Sequence, residues 1–249
     1  AVSCTRELLQ QVAGLARSRG VMVHTHASEN KTECALVEAD TGLTNIAYLN
    51  SLGLTGRHVA LAHCVHVNEE EMNILAETGT NVAHCPSSNL KLGSGIAPIA
   101  EYLARGISVS LGADGAACNN RLDMFTEMRS AALLQKVLRG PEVLAATQAL
   151  RMATINGATA LGLESEIGSL EVGKRADVIV VNLNDFHLAP KPADLVSGLV
   201  YSAQASDVRT VIIDGKLVLD DTRLVTLDEA KTLKNAEEES QILLRSAGG

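Results

Sequence analysis

The chain has 249 residues, 46% of them hydrophobic, 20% charged and 2% aromatic, with a formal charge of −8. That length accommodates one large domain or two small ones around a sizeable core. Scattered Lys and Arg exclude a basic nucleic-acid footprint, the absence of Trp and scarcity of other aromatics exclude a base-stacking platform, and no apolar run reaches the length of a membrane span.

From residue 3 to about 165 the pattern alternates between amphipathic helix and short apolar strand. A helix over 3–19 leads to a strand over 20–26. A helix near 41–52 leads to a strand over 58–63, one over 68–78 to a strand over 80–84, and one over 97–105 to a strand over 107–112. The strands are nearly continuous apolar runs, as expected for parallel strands buried on both faces. Alternating helices and strands imply right-handed βαβ units. Two helices follow, over 120–139 and 141–153. Asn120 and Asp123 stand at capping-box-like spacing before the first, and Gly140–Pro141 supplies its stop.

The character changes after 165. IGSLEVGKRADVIVVNLN is rich in β-branched residues, and VRTVIIDGKLVLDD reads as a hairpin turning at Asp214–Gly215. Residues 166–222 are therefore expected to form a small antiparallel β unit. The tail, 225–247, reads as a polar helix with Leu and Ile on one face. Five cysteines, at 4, 34, 64, 85 and 118, form no C-x-x-C pair. That spacing favours reduced thiols in a cytoplasmic setting.

Chemistry-bearing residues fall at the C-terminal end of each of the first four strands. His24, His26 and Glu29 follow the first, His63, Cys64 and His66 the second, His84 the third and Asp114 the fourth. In a (β/α) barrel the active site is assembled at these ends. Imidazole and carboxylate together suit a borderline divalent cation such as zinc. Taken singly, each residue has an ordinary reading. His24, His58, His66 and His187 fit rim or core histidines, Glu29 a helix cap and Asp114 a turn former. Joint placement is what sets His26, Glu29, His63 and Asp114 apart.

The stretches HASEN, HCVHVNEEE, HCPSSNLKLGSGIAPI, GADGAACNNRLDMFTEMR and GSLEVGKRADVIVVN resemble the metal-dependent amidohydrolase superfamily. The similarity runs from about residue 20 to 222, with the motifs in family order. It is strongest to the aminohydrolase branch that includes adenosine-derivative deaminases, guanine-type deaminases and triazine hydrolases. The resemblance implies that His26 is the fifth-strand metal ligand. Glu29, in H-x-x-E, is then the acid that shuttles a proton to the substrate ring. His63 is the sixth-strand histidine that orients the attacking water, and Asp114 the eighth-strand aspartate, both metal ligand and proton acceptor. His84 and Asn89 are expected at the substrate. The resemblance implies one zinc ion per site, with iron as the alternative.

The implied fold is α/β: the C-terminal half of a TIM-like barrel, strands five to eight, over 1–165, part of a small β-sandwich over 166–222, and a helical tail over 223–249. Only four strand–helix units fit between residues 20 and 135, whereas a closed barrel needs eight. The His24–Thr25–His26 triplet is thus expected to differ from the family's first-strand H-x-H pair, with His24 facing away from the metal or sitting behind it. The implied activity is hydrolytic deamination of a 6-aminopurine nucleoside of the methylthioadenosine, S-adenosylhomocysteine or deoxyadenosine type. The alternatives are a guanine- or triazine-type hydrolase and an inactive half-barrel. The partners expected are a small-molecule substrate and either further copies of the chain or a separate N-terminal half, with no nucleic acid and no membrane.

Overall fold

A computed structural model of the chain describes residues 3–246. Helix α1 (Arg6–Arg19) is opened by Thr5, whose hydroxyl accepts from Leu8 N, and closed by Gly20 in the left-handed region at φ 63°. It buries Leu9, Ala13 and Ala16 and feeds strand β1 (Val23–Ala27). Helices α2 (Lys31–Thr41) and α3 (Asn45–Ser51) lead to β2 (Val59–His63). Helix α4 (Glu69–Thr78), opened by a reciprocal Asn68–Glu71 capping box, leads to β3 (Asn81–His84). Helices α5 (Pro86–Lys91) and α6 (Ile99–Ala104) precede β4 (Val109–Leu111). Then come α7 (Ala116–Asn119), α8 (Met124–Arg139), α9 (Ala146–Ala153) and α10 (Ile155–Ala160).

Strands β1 to β4 form one parallel sheet in chain order. Every residue of β2 is buried, whereas β1 alternates. The sequences explain this. VALAH is apolar on both faces up to its terminal His63 and suits an interior strand; VHTHA carries histidines at alternate positions and lies at an edge. Leu61, Val82 and Val109 are fully enclosed and share one core with Ile46, Leu75, Ile99 and Met152 of the flanking helices. Each such side chain contributes roughly 1.5–3 kcal/mol by leaving water.

The second sheet joins β5 (Val178–Val181) to β6 (Val208–Ile213), β7 (Lys216–Asp220) and β8 (Arg223–Leu224), all antiparallel. Between β5 and β6 the chain makes helix α11 (Leu195–Tyr201), which packs on α8 and α9. The β6–β7 turn has Asp214 at φ 50° and Gly215 at φ 74°, the conformation that DG hairpins adopt. Helix α12 (Glu229–Ser246) buries none of its residues.

Several expectations need correction. Helix α2 was not foreseen: it buries only Glu33 and Val37, so its apolar period is too faint to read. The helix expected near 41–52 shrinks to α3, and the one over 141–153 to α9. The helix expected over 120–139 starts at Met124. Asp123 is its N-cap, while Asn120 closes α7 at φ 67°. Residues 166–222 are not wholly β, since α11 intervenes. His24 and His26, two residues apart on one strand, share a face. Residue 247 of the expected tail helix, and residues 1, 2, 248 and 249 of the expected regions, lie outside the described residues.

Candidate functional site

The C-terminal ends of β1, β2 and β4 converge. His26 stands one residue before the end of β1, His63 ends β2, and Asp114 lies just beyond β4. One ligand atom from each of His26, His63 and Asp114 lies within 4.8 Å of the others. The register sets Ala62 beside His26 and His63 beside Ala27, and the two imidazoles stack at 5.2 Å with an interplanar angle of 14°.

The backbone here is strained. Ser28 (φ 53°), His63 (φ 72°), Cys64 (φ 46°) and Asp114 (φ 61°) all occupy the left-handed region without being glycine. Each such residue costs on the order of 1–3 kcal/mol and persists where surrounding contacts impose it. Those contacts are present. Cys64 N donates to Ala27 O at 3.0 Å, Val65 N and His66 N donate to Ser28 O at 2.9 and 3.0 Å, and Tyr102 Oη donates to Cys64 O at 2.6 Å.

Glu29 is not the cap of α2; Asn30 is, its Oδ1 accepting from Glu33 N at 2.9 Å. Glu29 instead reaches inward, with Oε2 4.0 Å from His63 Nε2 and Oε1 accepting from Ser94 Oγ at 3.1 Å. Its own N donates to Glu33 Oε2 at 2.8 Å, and Glu33 is fixed in turn by Asn45 Nδ2 at 2.9 Å. Burial opposes ionisation of Asp114. Hydrogen bonds from Ser88 Oγ and Gly115 N, with His63 and His26 nearby, outweigh it and hold the carboxyl below its ordinary range. An ionised carboxylate beside two imidazoles is the donor set a borderline divalent ion requires, so the residues fit such an ion.

His84 ends β3 with 1% exposure, and neither of its ring nitrogens has a hydrogen-bond partner among the described residues. Burial, with a smaller effect from His63, pushes its pKa down to about 3. Asn89 Oδ1 lies 2.8 Å from His63 Nδ1, and its Nδ2 is buried without a partner among the described residues. His24 shares the site's face but stands outside the three-residue cluster. Burial and then His26 and His63 lower its pKa. His66 Nε2 lies 2.7 Å from Ser94 O, and His58 contributes to neither cluster. Sequence reasoning passed over Ser88, Ser94 and Glu33. The signal for the two serines was their position in CPSSNLKLGSG, where hydroxyls sit between a helix-starting proline and turn-forming glycines.

A second group, Asp185, His187 and Asp207, also has ligand atoms within 4.8 Å of one another. Here Asp207 Oδ2 already accepts from Gln204 N at 2.9 Å and lies 3.0 Å from His187 Nε2.

Parallel strands with alternating helices define a mixed α/β protein, and the imidazoles and carboxylate gathered at its strand ends could hold a metal ion. The sequence profile described as "Amidohydrolase family" matches residues 1–218, and the chain belongs to that family. A 5-methylthioadenosine/S-adenosylhomocysteine deaminase from Moorella thermoacetica is 50% identical over 248 residues, 99% of this chain and 56% of the relative. A 5'-deoxyadenosine deaminase from Methanothermobacter thermautotrophicus is 45% identical over 236 residues, 94% of this chain and 55% of the relative. Among solved structures, an adenosine deaminase from Xanthomonas campestris with bound zinc superposes with a TM-score of 0.91 at 38% identity. That match covers 94% of this chain and 53% of the neighbour. The chain thus spans about half the length of the curated relatives it matches.

Proposed function

We propose that this chain forms part of a hydrolytic deaminase of 6-aminopurine nucleosides modified at the 5′ position. One observation carries the reading: His26, His63 and Asp114, from three separate strand ends, meet within 4.8 Å, and Glu29 stands 4.0 Å from His63. The deaminase names of relatives at 45–50% identity support the substrate class. His26 and Asp114 are the proposed ligands of one divalent ion. Zinc is favoured by the donor set and by the zinc-bound neighbour. Such an ion, when bound, lowers the pKa of its water toward 7.

Each residue of the chain then has a task. Asp114 accepts the proton of the water that attacks the ring carbon bearing the amino group. His63 donates or accepts a hydrogen bond at that water and orients it. Glu29 protonates the adjacent ring nitrogen as the ring carbon rehybridises; the amino group takes the proton held by Asp114 and leaves as ammonia, and the hydroxyl proton returns to Glu29 as the carbonyl forms. Proton transfers of this kind contribute ~10²–10⁴-fold. His84 and Asn89 Nδ2, buried and unpartnered, are the proposed contacts for polar atoms of the substrate.

Within the same proposal, residues 1–165 supply strands five to eight of a barrel, 166–222 part of a β-sandwich and 223–249 a helical tail. The sheet order supports this, since β1 and β4 each have one neighbouring strand. So does the length of the relatives, of which the chain matches 56% and 55%. Four further strands would close the barrel and complete the ligand set, and the polypeptide would work in the cytoplasm. Residues 1–249 purified alone are expected to self-associate through the open edges, to hold zinc weakly and to release no ammonia from methylthioadenosine. A monodisperse monomer with one tight zinc and normal turnover would remove the half-barrel reading.

The reaction itself is tested on the polypeptide that carries a complete barrel. Ammonia release should be faster from methylthioadenosine, S-adenosylhomocysteine or 5′-deoxyadenosine than from guanine or a chlorotriazine. The opposite order would move the chain to the guanine- or triazine-type reading.

A further inference from the structure

Three site residues on three different strand ends each share a hydrogen bond with one short connection, the stretch between β3 and α6. Ser88 Oγ donates to Asp114 Oδ2 at 2.5 Å. Asn89 Oδ1 lies 2.8 Å from His63 Nδ1. Ser94 Oγ donates to Glu29 Oε1 at 3.1 Å. The contacts span 26, 26 and 65 residues of sequence. Ser88, Asn89 and Ser94 are 0%, 1% and 7% exposed, so water does not compete for these bonds.

The connection is itself held from outside the site. Pro86 starts α5 at a position where a missing N–H costs nothing. Ser87 N donates to Glu127 Oε2 at 3.1 Å, and the other oxygen of the fully buried Glu127 accepts from Asn119 Nδ2 at 2.8 Å. At the far end Ser94 O lies 2.7 Å from His66 Nε2, and Ser94 N donates to Asn89 O at 2.9 Å. Gly95 follows at φ 122°, where a Cβ would come within 3.0 Å of Val65 and close to the His66 ring. The backbone is therefore pinned to α8 on one side and to the end of β2 on the other, and the three side chains arrive with their directions already set.

We propose that the 86–95 stretch is a single positioning element: Ser88 orients Asp114, Asn89 orients His63 and Ser94 orients Glu29, so that ligand, water-orienting and proton-shuttling groups keep one mutual geometry. The proposal rests on the hydrolase reading above. It assigns no direct chemistry to the two serines; they act through their partners. Substituting a residue that orients a metal ligand typically costs 10–100-fold in metal affinity or activity.

The test uses the catalytically complete polypeptide carrying Ser88→Ala, Asn89→Leu or Ser94→Ala, with Leu90→Ala, half exposed on the same helix, as the control. Zinc retention against a chelator, kcat and KM are read for each. Ser88→Ala is expected to weaken zinc retention 10–100-fold. Asn89→Leu and Ser94→Ala are expected to lower kcat at least ~10-fold, Ser94→Ala with KM within threefold and Asn89→Leu with a raised KM because it also removes the proposed Nδ2 contact to substrate, while Leu90→Ala leaves all three unchanged. Ser88→Thr, Asn89→Asp and Ser94→Thr, which keep the bonding oxygen, should recover most of the loss in zinc retention and kcat, with KM still raised in Asn89→Asp, which lacks Nδ2. In an Asp114→Asn background Ser88→Ala should cost nothing further in zinc retention, because it works only through that carboxylate. If the Ala and Leu variants stay within twofold of the parent, or if the oxygen-keeping variants fall as far as they do, the assignment is overturned. A parent protein that turns over none of the nucleosides would defeat the deaminase reading alone. The zinc-retention measurements on Ser88→Ala and Ser88→Thr would still support or overturn the positioning role.

Discussion

The two sheets of this protein contain the same residue types in different settings. In the parallel sheet, His26, His63 and Asp114 come from strands separated by helices, and each sits where a buried strand ends. In the antiparallel region, Asp185, His187 and Asp207 are close in sequence, and the only buried carboxylate, Asp207, is already engaged by Gln204 N. The first cluster is built at a cost: Ser28, His63, Cys64 and Asp114 are held in left-handed backbone that other contacts must impose. The second is satisfied locally. A cluster of ligating residues points to chemistry when the fold has stored strain to assemble it, and points to local capping when neighbouring residues suffice.

The sharpest way to break this comparison is to disable one cluster at a time in the complete enzyme. Glu29→Gln keeps the shape of the side chain but removes its proton, and kcat should fall ~10²–10⁴-fold with zinc retained. His187→Ala should leave kcat within twofold. If the two variants lose activity equally, the second cluster belongs to the mechanism after all. Both are read by ammonia release and metal analysis.

A second contrast lies in packing. Leu61, at the centre of β2, is 0% exposed, whereas Val180 in β5 is 51% exposed. Leu61→Ala should lower unfolding free energy by about 2–5 kcal/mol. Val180→Ala should cost well under ~1 kcal/mol, as surface changes usually do. Denaturant titration measures both, and equal losses would mean that β5 is covered in the working protein.

A third contrast, seen only in acid, concerns His84. Its folded-state pKa of about 3 lies below the ordinary histidine value of 6.5, so the unfolded chain binds the extra proton first as pH falls. Stability should therefore be complete above about pH 6.5 and decline between there and about pH 3. His84→Leu should remove a slope of about one proton from that window. An unchanged slope would mean that His84 has a partner in the working protein that lets it charge.

Sequence alone carried the alternation of helices and strands, the β2 and β3 cores, the DG hairpin and the gathering of His and Asp at strand ends. Each depends on periods of two or 3.6 residues, or on turn chemistry within four residues, and such signals are local. Helix α2 was not legible because it buries a glutamate and a valine rather than an apolar stripe. Helix α11 was hidden in a β-rich stretch because its support comes from α8 and α9, elements that end about forty to fifty-five residues earlier in the chain. The order of residues also could not show that the His26 and His63 rings stack, or that Ser88, Asn89 and Ser94 each reach a different strand end. Those facts depend on how strands register against one another and where a connection is pinned. They are set by the mutual fit of buried surfaces and hydrogen bonds from distant parts of the chain, which no local pattern encodes.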